Sequence, residues 1–300
     1  MKQSAVRGRT VVVTGAARGL GAALARELAH RGARLALVGH ERQMLEACAA
    51  ELRSYTDVAA WEADVTDPRA LARVAGEVRA EFGGPSVVIA NAGVAEGGPF
   101  AQSDSARWQR VIDVNLVGSA NTARAFLPDL RETHGYYLQI ASLAAIGAVP
   151  MMTAYCASKA GVEAFAHSLR SEVAHEGIAV GIAYLNWIGT DMIRDADEHA
   201  VLRELRAHMP APARRVREAD DVARRLARVI ERRRTAVYVP PWLRGAQMAR
   251  ATLPPVVTRL SRWKLPQLAA RRPLDSTGLL GAGGDADGQK VLGDREREQN

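Results

Sequence analysis

A doubly wound α/β fold, one parallel sheet of seven strands with helices on both faces, is the architecture this sequence predicts. Two observations carry it. From residue 10 to about 240, short β-branched runs alternate with longer stretches whose apolar residues fall three and four apart. The first of those runs also passes directly into a glycine-rich turn and then a helical stretch. Strands that alternate with helices form a parallel sheet covered on both sides. Right-handed crossovers then make the doubly wound topology the default.

The strands are placed at 10–14, 34–38, 58–62, 86–90, 135–140, 179–184 and 236–239, with clear helical spacing over 20–30 and 42–52. There is no repeat of solenoid period. After Val239, Pro240-Pro241 interrupts the pattern, 242–253 reads as a short helix, and Pro254-Pro255 breaks it again. From Pro273 the chain is glycine-rich and polar, and too poor in apolar surface to be expected to order. The organisation expected is a catalytic domain over 1–240, a basic amphipathic extension over 241–272 and a flexible tail over 273–300.

Composition narrows the class. The 48% hydrophobic fraction fits a globular core, and two cysteines, Cys48 and Cys156, make no disulfide framework. No apolar run is long enough to cross a bilayer and the N-terminus lacks a signal peptide's apolar stretch, so a cytoplasmic protein is expected. The net charge is +7, but residues 232–272 hold ten Lys/Arg and no Asp/Glu. With those ten set aside, the rest of the chain carries about −3. The basicity belongs to one segment, which argues against a nucleic-acid binder, and no nucleic-acid motif is present. No metal site is expected.

The glycine turn is Thr14-Gly15-Ala16-Ala17-Arg18-Gly19-Leu20-Gly21. A pyrophosphate needs backbone N–H groups aimed at it and no side chain in the way, which glycines at a strand-to-helix turn provide. Glycines also make turns for steric reasons alone. After the second strand, NAD enzymes place a carboxylate for the ribose hydroxyls. Here the run is Gly39-His40-Glu41-Arg42, with Gly39 at that place. Arg18 and either His40 or Arg42 can supply positive charge to a 2′-phosphate, so NADP(H) is expected over NAD(H). Glu41 pulls the other way.

A second group follows the fifth strand: Ser142, then Tyr155-Cys156-Ala157-Ser158-Lys159. Tyr155 and Lys159 are four apart and share one helix face. A free phenol titrates near 10, too high for a base at neutral pH, and a nearby ammonium is expected to lower it. Ser142 would orient the substrate oxygen.

Over residues 8–240 these features resemble the short-chain dehydrogenase/reductase family, whose catalytic domain is a Rossmann fold. Thr14–Gly21 resembles its cofactor loop, Asp64-Val65 its adenine contact, and Asn91-Ala92-Gly93 its sheet-stabilising turn. Asn115, Ser142, Tyr155 and Lys159 match its catalytic positions, with serine and tyrosine thirteen positions apart. Asn115 is there implied to hold a water in a proton relay. Ile188 and Thr190 match the stretch that holds the nicotinamide carboxamide, although Leu185-Asn186-Trp187 replaces the family's usual Pro-Gly. The resemblance implies hydride transfer between the nicotinamide and a carbonyl or alcohol, and a homodimer or homotetramer through the helices bearing Asn115 and Tyr155.

Substrate walls are expected from 143–152 and 187–209, with Leu143, Ile146, Val149, Met151, Met152, Trp187, Met192 and Ile193 suiting a lipophilic molecule. A helix over 195–208 would form a lid. In the basic extension Val256, Leu260 and Trp263 share a face flanked by Arg259 and Arg262. That face can lie on an anionic membrane, attract an acidic carrier, meet another subunit or dock on the body by its tryptophans. A catalytically silent dinucleotide sensor on the same fold is the competing reading, and it has no use for a proton relay.

Overall fold

The computed structural model describes residues 4–271, 273–284 and 287–288. In chain order the main elements are β1 (Thr10–Thr14), α1 (Gly19–His30), β2 (Arg34–Gly39), α2 (Arg42–Leu52), β3 (Val58–Glu62), α3 (Pro68–Phe82), β4 (Val87–Ala90) and β5 (Glu96–Gly97). Then come α4 (Ser105–Ile112), α5 (Gly118–Glu132), β6 (Tyr136–Ser142), α6 (Thr153–Val173), β7 (Ala179–Leu185), α7 (Asp191–Glu198), α8 (Ala200–Ala207) and α9 (Ala211–Arg214). The chain continues through α10 (Ala219–Glu231), β8 (Ala236–Val239), α11 (Leu243–Met248), α12 (Leu253–Ala269) and β9 (Gly278–Leu279).

Seven strands form one parallel sheet in the order β3-β2-β1-β4-β6-β7-β8. Alternation along β1 sends Val12 to one face and Val11 and Val13 to the other. On the first face α3, α5 and α6 pack through residues such as Leu71, Phe126 and Val162. On the second, α1, α2 and α10 pack through Leu24, Leu45 and Leu226. Chain direction across the sheet switches between β1 and β4, which opens a crevice beyond their carboxyl ends. Asp67 caps α3 by accepting from the Arg69 and Ala70 N–H groups, and Asp104 caps α4 in the same way.

The first part of the helical extension, 242–253, docks on the body: Leu243 is buried in the core, with Trp242, Ala246 and Leu253 packed against it. Two expectations change beyond Val239. Pro254 and Pro255 do not break a helix but start α12, where a missing N–H costs nothing. The tail expected to be flexible from residue 273 instead runs back across the molecule, and β9 pairs antiparallel with β5. Its glycines permit that close backbone approach, and Leu279 and Leu280 are buried in the contact. Residues 289–300 of that expected tail lie outside the described residues. The expected lid over 195–208 is two helices, α7 and α8, meeting at His199.

The α11 region is fastened to α6 by a buried carboxylate. Glu163 accepts from Tyr184 Oη at 2.7 Å, Gln247 Nε2 at 2.5 Å and Arg250 Nη1 at 3.0 Å. Arg250 is about half exposed, so its removal is tempered by water reaching the acid. Arg250→Ala should lower unfolding free energy by about 1–2 kcal/mol, and in Glu163→Gln the same change should cost clearly less. Urea denaturation of both single variants and the double variant checks this. Equal losses in the two backgrounds would mean that the pair does not couple.

Candidate active site

The crevice past β1 and β4 is lined by the glycine turn, the ends of β2, β4, β6 and β7, and the start of α7. The turn works because side chains are missing: a Cβ on Gly21 would come within 2.1 Å of the Gly15 carbonyl oxygen. Thr14 lies behind this surface. Its Oγ1 accepts from the Asn91 and Ala92 N–H groups, while Asn91 Nδ2 donates to the Thr14 and Gly15 carbonyls. Those bonds tie β1 to β4 at the mouth of the crevice. Gly15, Ala17, Arg18, Gly19, Leu20 and Gly21 all line it, as do Asn91, Ala92 and Gly93. Unlike α3 and α4, helix α1 has no side chain bonded at its N-cap, Arg18. Its N-terminus is arranged for an outside anion.

At the end of β2 the charges pair among themselves. Arg18 makes a two-pronged contact with Glu41, one arm at 2.9 Å, and lies 3.6 Å from Asp191. His40 lines the crevice, and its Nε2 is buried without a protein partner. Arg42 is a correction: it is exposed on the first turn of α2 and does not line the crevice, because the turn between β2 and α2 carries it outward. Asp64 and Val65 form the adjoining wall. The Asp64 carboxylate accepts from the Thr66 N–H at 3.0 Å and from Arg110 Nη2 at 2.6 Å. Burial raises its carboxyl, but the Thr66 bonds and the Arg110 guanidinium outweigh that and hold it well below the usual carboxylate range.

At the other end of the crevice stand Ser142, Tyr155 and Lys159. Ser142 ends β6, and its hydroxyl accepts from the Ala144 N–H at 3.2 Å. Lys159 Nζ lies 5.6 Å from the Tyr155 ring centroid and donates to the Ile140 carbonyl at 3.3 Å. Asn115 sits in a π-helical turn, 113–117, between α4 and α5. Its Oδ1 accepts from the Val94 N–H at 2.8 Å, and its Nδ2 donates to Val94 O and Ser158 Oγ, each at 2.9 Å. A Cβ built on Gly93 would lie 3.0 Å from Asn115 Oδ1 and 3.5 Å from Lys159 Nζ, so both side chains border the same small space.

The electrostatics differ from the expectation that Lys159 alone would acidify Tyr155. Burial pushes the phenol above its ordinary value, and the neighbouring Ser142 hydroxyl draws it back only in part. Burial likewise lowers Lys159 to about 8. Desolvation penalises phenolate and ammonium alike.

Of the expected substrate walls, Met192 and Ile193 line the crevice, as do Ile188 and Thr190 despite the altered Leu185-Asn186-Trp187 stretch. Ile146 belongs to the core, and Trp187 lies under the Arg206 guanidinium, 5.6 Å from its centroid. Sequence reasoning missed Arg110 and the C-terminal residues Leu280, Gly281 and Asp287, all on the crevice wall. Nothing in the spacing distinguishes Arg110 from other arginines on amphipathic helices.

Comparison with known proteins agrees with this geometry. Residues 9–200 match the family described as short chain dehydrogenase. Nodulation protein G of Rhizobium sp. (strain N33) is 32% identical over 224 residues, 73% of this chain and 88% of that protein. L-Sorbose reductase from Gluconobacter frateurii, solved with NADPH and L-sorbose, superposes with a TM-score of 0.71 at 24% identity, over 79% of this chain and 97% of that one. A short chain dehydrogenase/reductase from Burkholderia phymatum, solved with NAD, gives 0.72 at 24% identity, over 82% and 94%. A glycine turn that leaves a helix N-terminus open, set across a crevice from serine, tyrosine and lysine, belongs with these sequence matches: the chain is a member of the short-chain dehydrogenase/reductase family, an oxidoreductase of CH–OH groups that works with a nicotinamide dinucleotide.

Proposed function

We propose that this protein is an NADP(H)-dependent oxidoreductase that interconverts a carbonyl and an alcohol on a lipophilic small molecule, with Tyr155 as general acid and base. The observation that carries the reading is that Ser142, Tyr155 and Lys159 border one crevice whose other half is the open glycine turn, with Asn115 buried beside Gly93 on its wall. The residues fit a dinucleotide: Gly21 leaves backbone where a Cβ would collide, and the buried His40 Nε2 lacks a protein partner. Gly15, Gly19 and Gly21 would hold its pyrophosphate, Asp64 and Val65 its adenine, and Ile188 and Thr190 its carboxamide. When bound, it supplies or accepts the hydride.

The protein's share is placement and the proton. Because burial keeps the Tyr155 phenol protonated at neutral pH, Tyr155 begins as a donor, which suits carbonyl reduction. The Ser142 hydroxyl holds the carbonyl oxygen beside it. As the phenol proton passes to that oxygen, the phenolate left behind is stabilised by the Lys159 ammonium over the ring. That attraction is little screened, because both groups are largely desolvated by the surrounding protein. Asn115 positions the route by which the proton is replaced from solvent.

NADP(H) is preferred on the strength of Gly39 in place of a carboxylate and His40 aimed into the crevice. The specific observation favouring NAD(H) is Glu41, which holds Arg18 away from a 2′-phosphate. Met192 and Ile193 on the wall support a lipophilic substrate. No helix among the described residues is long and apolar enough to cross a membrane. On α11 and α12, however, Met248, Val256, Leu260 and Trp263 are exposed among Arg259, Arg262 and Lys264. This surface supports peripheral contact with an anionic membrane, where a lipophilic substrate would partition. Assembly as a homodimer or homotetramer through α4, α5 and α6 belongs to the same reading.

Three outcomes test it. Against a panel of ketones and aldehydes with NADPH or NADH, turnover is expected with NADPH first, and Tyr155→Phe should bind NADPH unchanged yet lose at least about a hundredfold in kcat. Full turnover by that variant would remove the proton-transfer role. Lys159 titrates near 8 when folded and at 10.5 when free, so the native state holds fewer protons across that window and stability rises with pH through it. At pH 7 the buried ammonium costs about 3 kcal/mol, so Lys159→Met should unfold at higher urea while losing activity. Co-sedimentation with anionic vesicles should fall in Leu260→Glu/Trp263→Glu; an absence of wild-type binding rules out the membrane contact.

A further inference from the structure

The C-terminal segment reaches the active site by a specific route. The Thr277 N–H donates to Gly97 O and the Leu280 N–H to Ala95 O, each at 2.8 Å, and the Gly97 N–H donates to Thr277 Oγ1 at 2.9 Å. These bonds lay the segment along the loop that leaves β4. Two glycines show how close the approach is. Gly98 has φ of 131°, and a Cβ there would lie 2.7 Å from Ser276 Cα. Gly281 has φ of 79°, and its Cβ would lie 2.7 Å from Met192 Cα on α7. One glycine lies in the catalytic body and one in the tail, so both halves of the chain are shaped for the same contact.

Polar groups buried by the contact are matched across it. Ser276 Oγ donates to the buried Glu96 carboxylate at 3.2 Å, and the Gly281 N–H donates to Asp195 Oδ2 at 2.7 Å. Asp287 is 1% exposed and accepts from Arg110 Nε at 3.1 Å, while Arg110 also holds Asp64. Between these anchors, Leu280 is buried in a cluster with Ala95, Met152 and Ala196, against which Tyr155 and Met192 pack. Leu280 also borders the crevice itself.

We propose that residues 276–284, together with Asp287, are a built-in wall of the active site and that Leu280 is a specificity-determining residue of the substrate pocket beside Tyr155. A polar linker passing over the surface would need neither the strand pairing nor matched buried charges. The position of Leu280, opposite α7 and next to the proton donor, makes its side chain the boundary a substrate meets. The inference rests on the reading of this crevice as the site of carbonyl reduction.

The test uses the full chain and two kinds of measurement. Hydrogen–deuterium exchange should show the amides of 276–281 protected, and Gly281→Val should release that protection by crowding α7. In steady-state kinetics over a series of carbonyls of increasing bulk, Leu280→Ala should shift relative kcat/KM about tenfold toward the bulkier members and Leu280→Trp toward the smaller. NADPH affinity, read by fluorescence titration, should change little in either. Exchange of 276–281 at the rate of unstructured chain would overturn the proposal. So would an unchanged substrate profile in both Leu280 variants, or an effect confined to NADPH affinity. A uniform rise in turnover in Gly281→Val would also overturn it, by making the segment a plug. If the wild type binds NADPH but reduces nothing, the reductase reading fails alone, and the exchange data still decide whether the wall exists.

Discussion

Desolvation at the end of the crevice is the constraint on which the site depends. Tyr155 and Lys159, one helical turn apart on α6, are taken out of water together, and burial moves the phenol up and the amine down. Each is then reluctant to ionise alone, while their mutual attraction is least screened. In the proposed mechanism, proton transfer from Tyr155 would therefore depend on the ammonium being held over the ring. The surrounding structure secures that placement: the Ile140 carbonyl takes the Lys159 proton donor, and Ser142 arrives from the next residues of the same strand. The π-turn at Asn115, bonded to both Val94 and Ser158, locks the loop after β4 to helix α6. Sites that combine such burial with charge are strained by design, and the cost of Lys159 is one the rest of the core must offset.

The cofactor half is built on a different principle. Its shape is set by absent side chains at the glycine turn, and its charge by pairs that largely neutralise one another. Arg18 is engaged by Glu41 and Asp191, and Arg110 by Asp64 and Asp287. On the proposed reading, a dinucleotide phosphate would be met in this half chiefly by backbone N–H groups at the start of α1, since the nearby guanidinium groups already have acidic partners.

The last sixty residues divide by what they touch. The α11 region joins the sheet's own core and is clamped by Glu163, whereas α12 presents Trp263 and Leu260 outward among cations. Trp242 and Trp263, which look equivalent in the sequence, thus end in opposite environments. Beyond α12, residues 278–284 return along the body, where β9 pairs with β5 and Leu280 and Gly281 border the crevice.

Periodicity and the glycine turn were enough to read the seven strands, their parallel order and the helix faces from sequence, because each depends on neighbours within a few residues. The Tyr155–Lys159 pair was legible for the same reason: four residues on a helix place two side chains on one side whatever surrounds them. The direction of their titration was not, since it depends on burial by elements far apart in the chain. The outward path of Arg42, the pairing of Arg18 with Glu41 and the recruitment of Arg110 were equally hidden, each being a choice of partner across space. The path of residues 276–284 was not legible because backbone pairing with β5, the burial of Leu279 and Leu280 and the Gly281–Asp195 bond all lie on distant parts of the body, which composition does not record. Local spacing determines which groups can face one cleft; only tertiary packing decides how much water they lose and which distant segment closes it, because desolvation and long-range pairing belong to the assembled fold.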